Sequence, residues 1–287
     1  MSISVLILTL NEEANLKRCL EAVSWSDDIV VFDSYSTDAT VQIAQSYGAR
    51  IIQQEYVDER LQREASLKIP FKYEWVFNPD ADEVPTPELI LEMKAAVNSP
   101  GDAVAFRVRF KNIFMGKWIR YSSLYPTWVV RLFKPGHLSF ERTINLTYMI
   151  VGQEGKLQNH LIHYSFHKGL HAWFEKHNRY STYEAIETIR SQQQPVLFRG
   201  LISIDPVQRR RSFKELSTRL PFRPSLRFYY MFIIRAGILD GRAGYIYCRL
   251  LQMYESLIVY KVSEFRQGSS ETHKPESPDS VKGQTLA

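Results

Sequence analysis

The chain has 287 residues and 45% apolar content, enough for one large core domain with a smaller appendage, and its net charge of +5 excludes neither a soluble nor a surface-bound protein. Its two cysteines, Cys19 and Cys248, are far apart with no CxxC spacing, which excludes a disulfide framework or a cysteine zinc site and fits a reducing, cytoplasmic compartment. The start, Met1-Ser2-Ile3-Ser4, has no basic segment before its apolar run, so it reads as a first strand rather than a signal peptide.

Ser4 to Leu10 is a β-branched and leucine run, the pattern of a strand covered on both faces. A helix follows with Leu16, Leu20 and Val23 at helical spacing, then a second strand over Asp28–Asp33. Ser36-Thr37-Asp38 is expected to cap a helix carrying Val41, Ala44 and Tyr47, which Gly48 ends. A short strand at Arg50-Ile51-Ile52, a helix over Glu59–Leu67 and a strand at Trp75-Val76-Phe77 complete a β-α-β-α-β-α-β run, predicting a parallel α/β sheet.

That run closes on Asn78-Pro79-Asp80-Ala81-Asp82-Glu83, which brings carboxylates to the edge where open α/β sheets bind ligands. On an extended chain Asp80 and Asp82 point the same way and can share one hard cation, Mg²⁺ or Mn²⁺, whose remaining ligands come from water and substrate phosphates. The competing reading is an acidic helix entry, since Thr86 and Glu88 look like capping residues and Pro85 and Pro87 suit a helix start.

Beyond the helix 87–97 the pattern changes to α+β. Val104, Phe106, Val108 and Phe110 alternate as a half-buried strand, with Trp128–Phe133 as its partner. A helix is expected over His171–Ser191, and one or two more over Tyr229–Lys261, broken near Asp240-Gly241. Between Arg199 and Arg249 eleven basic residues stand against three acidic ones, interleaved with aromatics, so nucleic acid, an anionic membrane surface or a phosphorylated substrate would each be attracted there. Phe228–Leu239 is too short to span a bilayer. The tail 267–287 is rich in Ser, Pro, Lys and Glu and is expected to be disordered.

Three stretches in this order, Ser4–Glu13, Ile29–Thr40 and Asp80-Ala81-Asp82-Glu83, resemble the nucleotide-sugar half of family 2 glycosyltransferases. Phe140-Glu141, Leu161–Ser165, Asn178–Ser181 and Leu239-Asp240-Gly241 resemble the bacterial subgroup that includes lipopolysaccharide core glucosyltransferases. The resemblance covers about residues 3 to 262. It implies a GT-A fold, a mostly parallel Rossmann-like mixed sheet flanked by helices. The implied segments are a donor half over 1–98, an acceptor half over 99–192, a basic helical extension over 193–266 and the tail.

It also implies roles. Thr9, Asn11 and Glu12 would hold the nucleoside, Asp33 with Ser34 beside it would face the uracil end, and Arg63 matches a basic position near the nucleotide. Asp33 as a turn cap and Arg63 as a solvated charge are the alternatives. Asp80 would lie near the ribose or metal and Asp82 would ligate the metal. His163 is a further metal or phosphate contact, or else a satisfied core histidine. Family 2 enzymes invert the anomeric carbon, so a base must take the acceptor proton. Glu141 is that candidate, with a structural pairing to Arg142 or Arg131 as the alternative, and Asp240 is the reserve, although Asp-Gly often marks a turn. Phe140 and Pro79 depart from the family pattern. Trp118, Tyr121, Tyr125 and Trp128 are the aromatics expected beside an acceptor sugar, with core packing the alternative.

The implied activity is metal-dependent transfer of a hexose, from a donor expected to be UDP-linked, to a lipid-linked or envelope saccharide at the cytoplasmic membrane face. Two other readings remain: a nucleotidyltransferase, disfavoured by the lack of a glycine-rich phosphate loop near the first strand, and a non-catalytic nucleotide-sugar or membrane-surface binder. Nucleic acid is not an expected partner, because the basic region has no reading motif.

Overall fold

The computed structural model describes residues 3–141, 146–193 and 216–268, together with 209 and 212. These divide into two compact units, one of residues 1–169 with 235–244, the other of 170–234 with 245–287.

The first unit is built on a nine-stranded sheet. Its parallel part follows the expected alternation: β1 (Ser4–Thr9), α1 (Glu13–Val23), β2 (Ile29–Asp33), α2 (Thr40–Ser46), β3 (Arg50–Gln53), α3 (Glu59–Ser66) and β4 (Val76–Phe77). Strand β1 is the centre of this half, pairing in parallel with β2 on one side and β4 on the other. Burial on both faces explains its unbroken apolar run, for Val5, Leu6 and Ile7 are all excluded from solvent.

After the short β5 (Glu83–Pro85) and α4 (Pro87–Asn98), the second half inserts β6 (Ala103–Phe114), β7 (Lys117–Trp118), β8 (Trp128–Phe133) and β11 (Gln153–His163). The order is β3-β2-β1-β4-β8-β6-β11-β5, with β7 paired to β6. Strand β8 runs antiparallel to β4 and β6, β11 runs parallel to β6, and β5 closes the edge antiparallel to β11. A separate hairpin, β9 (Leu138–Glu141) and β10 (Thr147–Ile150), pairs antiparallel.

Two apolar layers cover the sheet. Leu16, Leu20, Leu89, Met93 and Val97 of α1 and α4 pack with Val5, Val31, Phe106, Val108 and Leu161. On the other face Leu138 and Phe140 of the hairpin pack with Leu6, Phe32, Ala105, Val130 and Phe133. Thr86 caps α4 by accepting from the Leu89 N–H, with Pro87 at the first helical position, so the helix-entry reading of this stretch holds alongside the ligand-edge one.

In the second unit, α5 (Gly169–Gln192) packs through Ala185 and Ile189 against Tyr254, Ile258, Val262 and Phe265 of a long helix, Gly241–Gln267. Lys261 Nζ reaches the Asn178 carbonyl at 2.5 Å and the Thr182 hydroxyl at 2.8 Å. A short helix over Arg223–Tyr229 is tied down by an Arg223–Glu255 ion pair at 2.7 Å.

Three expectations are corrected. Ala39 stands in the N-cap position of α2, one residue past the expected Ser36–Asp38 turn, although the Asp38 carboxylate of that turn does accept the first N–H of the helix, from Thr40 at 3.0 Å. Strand β6 runs past Phe110 to Phe114, since β7 and β11 supply ladder partners there. Strand β11 and the β9–β10 hairpin were not foreseen, because Gln153–His163 mixes polar residues on both faces. The two compact units part at residue 169, and α5, expected to close the acceptor half at residue 192, packs within the second. Most of the basic stretch 194–215, and residues 269–287 of the tail, lie outside the described residues.

Candidate active site

The carboxyl ends of β1, β2 and β4 meet at one edge, and the sequence-predicted donor residues lie along it. Asp33 ends β2, is excluded from solvent, and accepts from Thr9 Oγ1 at 2.9 Å, Ser36 N at 2.9 Å, Ser36 Oγ at 2.5 Å and Gln53 Nε2 at 3.0 Å. Burial works to raise its pKa, but the bonds from Ser36, Gln53 and Thr9 outweigh it and hold the carboxyl below the usual range. Four donors occupy the acceptor positions of one carboxylate, so Asp33 braces the edge by joining β1 to the Ser36 turn. Ser34 accepts from Gln62 Nε2 at 2.8 Å.

Asn11 sits in the left-handed region (φ 54°) and shapes the next turn: its side-chain oxygen accepts from Thr37 N at 2.8 Å, and its own N–H donates to Ser36 Oγ at 2.9 Å. Glu12 meets Lys168 Nζ at 2.7 Å, and the same ammonium donates to the Asn11 carbonyl at 2.7 Å. Lys168 carries no motif of its own and was not anticipated.

The acidic cluster is not extended. The Glu83 N–H donates to the Asp80 carbonyl at 2.9 Å, closing a turn that sends the two aspartates apart. Asp80 faces two guanidiniums, Arg63 at 3.0 Å and Arg131 at 2.5 Å. Asp82 faces His163 Nε2 at 3.4 Å, from the last residue of β11. The expectation that both aspartates point the same way is therefore corrected, and Asp80 is committed to arginines.

Arg131, which the sequence offers only as an alternative partner of Glu141, instead joins Asp80 to Glu83, donating to the latter at 2.6 and 2.8 Å, with both Arg131 and Glu83 buried. Burial opposes the charge on Asp80, yet Arg131 and Arg63 hold its carboxyl well below the usual range. For Glu83, burial wins, and despite Arg131 its carboxyl is raised. Arg63 is buried and also donates to Asn78 Oδ1 at 3.3 Å, so it is no solvated charge. A signal for Arg131 existed: it is the one charge inside the apolar strand Trp128–Phe133.

His163 is half-buried, with Nδ1 2.7 Å from Asn112 Oδ1, so that Nε2 is left for Asp82. Burial disfavours its charged form, but the hydrogen bond and charge of Asp82 more than compensate and raise its pKa. One carboxylate and one imidazole suit a divalent cation that takes its other ligands from phosphate and water. Among the described residues no three such groups come together, so these residues by themselves make no closed metal cage.

The two base candidates are placed very differently. Glu141 ends β9, is exposed, and has no ion-pair partner among the described residues. Asp240 is buried and accepts from the backbone N–H groups of Arg120, Tyr121 and Ser122 at 3.0, 3.0 and 2.8 Å, and from the Ser122 hydroxyl. Asp240 is thereby an anchor of the loop after β7: three donors take Oδ2 and one takes Oδ1, and its burial, at 3% exposure, sets the carboxylate away from a substrate hydroxyl, against the reserve-base expectation. That loop brings the four expected acceptor aromatics together. Trp118 and Tyr125 meet edge to face at 5.2 Å, Arg120 lies over Trp118, Tyr121 and Tyr125, and Arg109 lies over Tyr125 and Trp128.

A mostly parallel sheet with an acidic turn at its carboxyl edge is the donor architecture of the GT-A glycosyltransferases, and residues 4–153 match the model of glycosyl transferase family 2. The chain belongs to that family. It is 31% identical over 148 residues to an uncharacterized glycosyltransferase of Rickettsia typhi, covering 50% of each chain. To the lipopolysaccharide core biosynthesis glycosyltransferase LpsC of Rhizobium meliloti it is 28% identical over 219 residues, covering 72% of this chain and 78% of that one. It thus spans about half the length of the Rickettsia relative.

Among solved structures it is similar to glucosyl-3-phosphoglycerate synthase from Mycobacterium tuberculosis in complex with Mn²⁺, UDP and glucosyl-3-phosphoglycerate. The TM-score is 0.34 at 22% identity, covering 43% of this chain and 47% of that one. It is also similar to S. aureus TarS, with a TM-score of 0.45 at 13% identity, covering 93% and 55%.

Proposed function

We propose that the protein is an inverting, metal-dependent transferase that moves a hexose from UDP to a hydroxyl of a lipid-linked or cell-envelope saccharide. The observation that carries this reading is the Asp82–His163 pair, 3.4 Å apart at the carboxyl edge of the sheet, in a chain of family 2. Asp82 and His163 would hold Mg²⁺ or Mn²⁺, which neutralises the charge that grows on a departing nucleoside diphosphate. Arg63 and Arg131 hold Asp80 ionised and fixed beside that position, toward the ribose. Thr9, Asn11, Glu12, Asp33 and Ser34 shape the nucleoside end through the bonds they make to one another and to the Ser36 turn. Glu141, exposed and with no ion-pair partner among the described residues, which leave out Arg142, takes the proton of the attacking hydroxyl.

The relative LpsC, named for lipopolysaccharide core biosynthesis, supports an envelope acceptor. Peripheral membrane association is supported by the second unit, where Phe222 is 81% and Ile234 73% exposed, with Leu226, Tyr229 and Ile233 also exposed. No helix among the described residues is long and apolar enough to cross a membrane.

Calorimetric titration of UDP, with GDP as control, in Mn²⁺ and in EDTA, tests the donor reading on the wild type and on Asp82→Asn. Metal-dependent UDP binding that the variant loses is the expected result. An absence of nucleotide binding in every condition would sink it.

A further inference from the structure

We infer that the cation-aromatic cluster on β6, β8, β11 and the loop after β7 is a binding site for an anionic saccharide, one whose phosphate or carboxylate sits beside a pyranose ring. This rests on the transferase reading above and names the chemical class of the acceptor.

Four cations converge there. Arg109 lies 5.4 Å from the Trp128 ring centroid and 6.0 Å from that of Tyr125, Lys111 lies 5.0 Å from Trp118, Arg120 lies 5.6 Å from Trp118, and Lys156 lies 5.4 Å from Trp128. None of the four makes an ion pair with a carboxylate among the described residues, whereas the neighbouring Arg107 is paired to Glu154. Four cations without an ion-paired carboxylate repel one another, and the ring faces and the field of Glu88 offset only part of that cost. The local field is correspondingly positive. Burial first, then Lys111 and Arg109, push the nearby His160 imidazole below its usual pKa, against the pull of Glu92 and Glu88.

Two donors in the cluster, Arg109 Nε and Trp118 Nε1, are buried with no acceptor. Native proteins rarely leave buried donors unpaired, and such groups point to a missing partner. A saccharide carrying an anionic group supplies what is absent: negative charge for the cations, oxygens for the donors, and apolar ring faces for Trp118, Tyr125 and Trp128.

The position fits an acceptor. Side chains alternate along a strand, so Arg109 and Lys111 share the face of β6 that carries Ala105. Ala105 packs with Leu138 and Phe140, so this is the face on which the Glu141 hairpin lies. Arg109 pairs in register with Trp128 and His160, and three residues further along β6 Asn112 pairs with His163. At about 3.3 Å per residue, that places the cluster on the order of 10 Å along the strand from the candidate metal residue, whose ring, 5.0 Å from that of Phe110, leaves the strand on the other face. The anchoring of Arg120, Tyr121 and Ser122 by Asp240 fixes the loop in place before any ligand arrives.

The test titrates glucose 6-phosphate, glucuronate, glucose and inorganic phosphate into the full chain, read by calorimetry and tryptophan fluorescence. The variants are Lys111→Gln with Arg120→Gln, both outside the core, and separately Trp128→Leu. The wild type should bind at least one anionic sugar about tenfold more tightly than either glucose or inorganic phosphate. The double variant should lose about that factor for the anionic sugar while its UDP affinity in Mn²⁺ stays unchanged. Trp128→Leu should weaken the sugar but not inorganic phosphate. Equal binding of glucose and its anionic counterparts, or no binding of either anionic sugar, overturns the inference. So does a loss of UDP affinity in the double variant, which would assign these cations to the donor diphosphate. Failure of the transferase reading is visible separately, as a wild type that binds no UDP.

Discussion

Arg131 is the residue whose removal should be felt most widely. Glu83 is 1% exposed and its carboxylate is held by Arg131 at 2.6 and 2.8 Å, while Asp80 loses one of its two guanidiniums when Arg131 goes. Replacing Arg131 by Met keeps the stem volume and leaves a buried carboxylate without its cation, which costs about 3–5 kcal/mol. For a chain of this size that corresponds to a fall in Tm on the order of 10 °C.

Two further observations sharpen the test. Because burial already raises the Glu83 pKa, the carboxyl in Arg131→Met is neutralised readily on acidification. A raised carboxyl pKa favours the folded state at low pH and costs stability as pH rises through it, so the deficit should be larger at pH 8 than at pH 5. Adding Glu83→Gln removes the orphaned charge and should recover part of the loss. Thermal and urea denaturation of the wild type, both single variants and the double variant, at both pH values, measures this. A deficit below about 1 kcal/mol, or a double variant no more stable than Arg131→Met, would refute the account of Arg131 as the counter-ion of the acidic turn.

Other perturbations have equally definite outcomes. Asp240→Ala leaves the buried Ser122 N–H and the part-buried N–H groups of Arg120 and Tyr121 without their acceptor and should cost about 1–3 kcal/mol, with UDP affinity unchanged; a loss of UDP binding at retained stability would contradict the anchoring role. Asp33 has a lowered pKa, so its contribution to stability is present above about pH 4 and lost as pH falls through its folded value. Asp33→Asn should therefore flatten the acid limb of the stability profile, and an unchanged limb would count against its four bonds. The raised pKa of His163 comes from Asp82, so Asp82→Asn should move the His163 NMR titration downward, and an unmoved midpoint would show that the two side chains do not interact. Gly244→Ala would set a Cβ 2.3 Å from the Gly237 carbonyl oxygen and 2.6 Å from Asp240 Cβ, so a clear drop in Tm is expected, and a neutral effect would refute that packing.

The sequence by itself determined the donor half. Buried parallel strands need continuous apolar runs and helices need a 3.6-residue stripe, so Ser4–Thr9, Ile29–Asp33 and the helices between them are legible from local pattern alone. The acidic turn was legible because three carboxylates after an apolar run have little to gain from a core. The tertiary structure decided which way those carboxylates face, because the turn closed by the Glu83 N–H separates Asp80 from Asp82. It also decided their partners. Arg131 and His163 come from β8 and β11, 51 and 81 residues beyond Asp80 and Asp82, and only the sheet order brings them there. Asp240 shows the same limit: as Asp-Gly it reads as a turn, and only the loop after β7 folding onto it reveals a buried anchor. Local pattern reports burial and periodicity, whereas the pairing of charges distant in sequence depends on register and strand order, which no short stretch of the chain encodes.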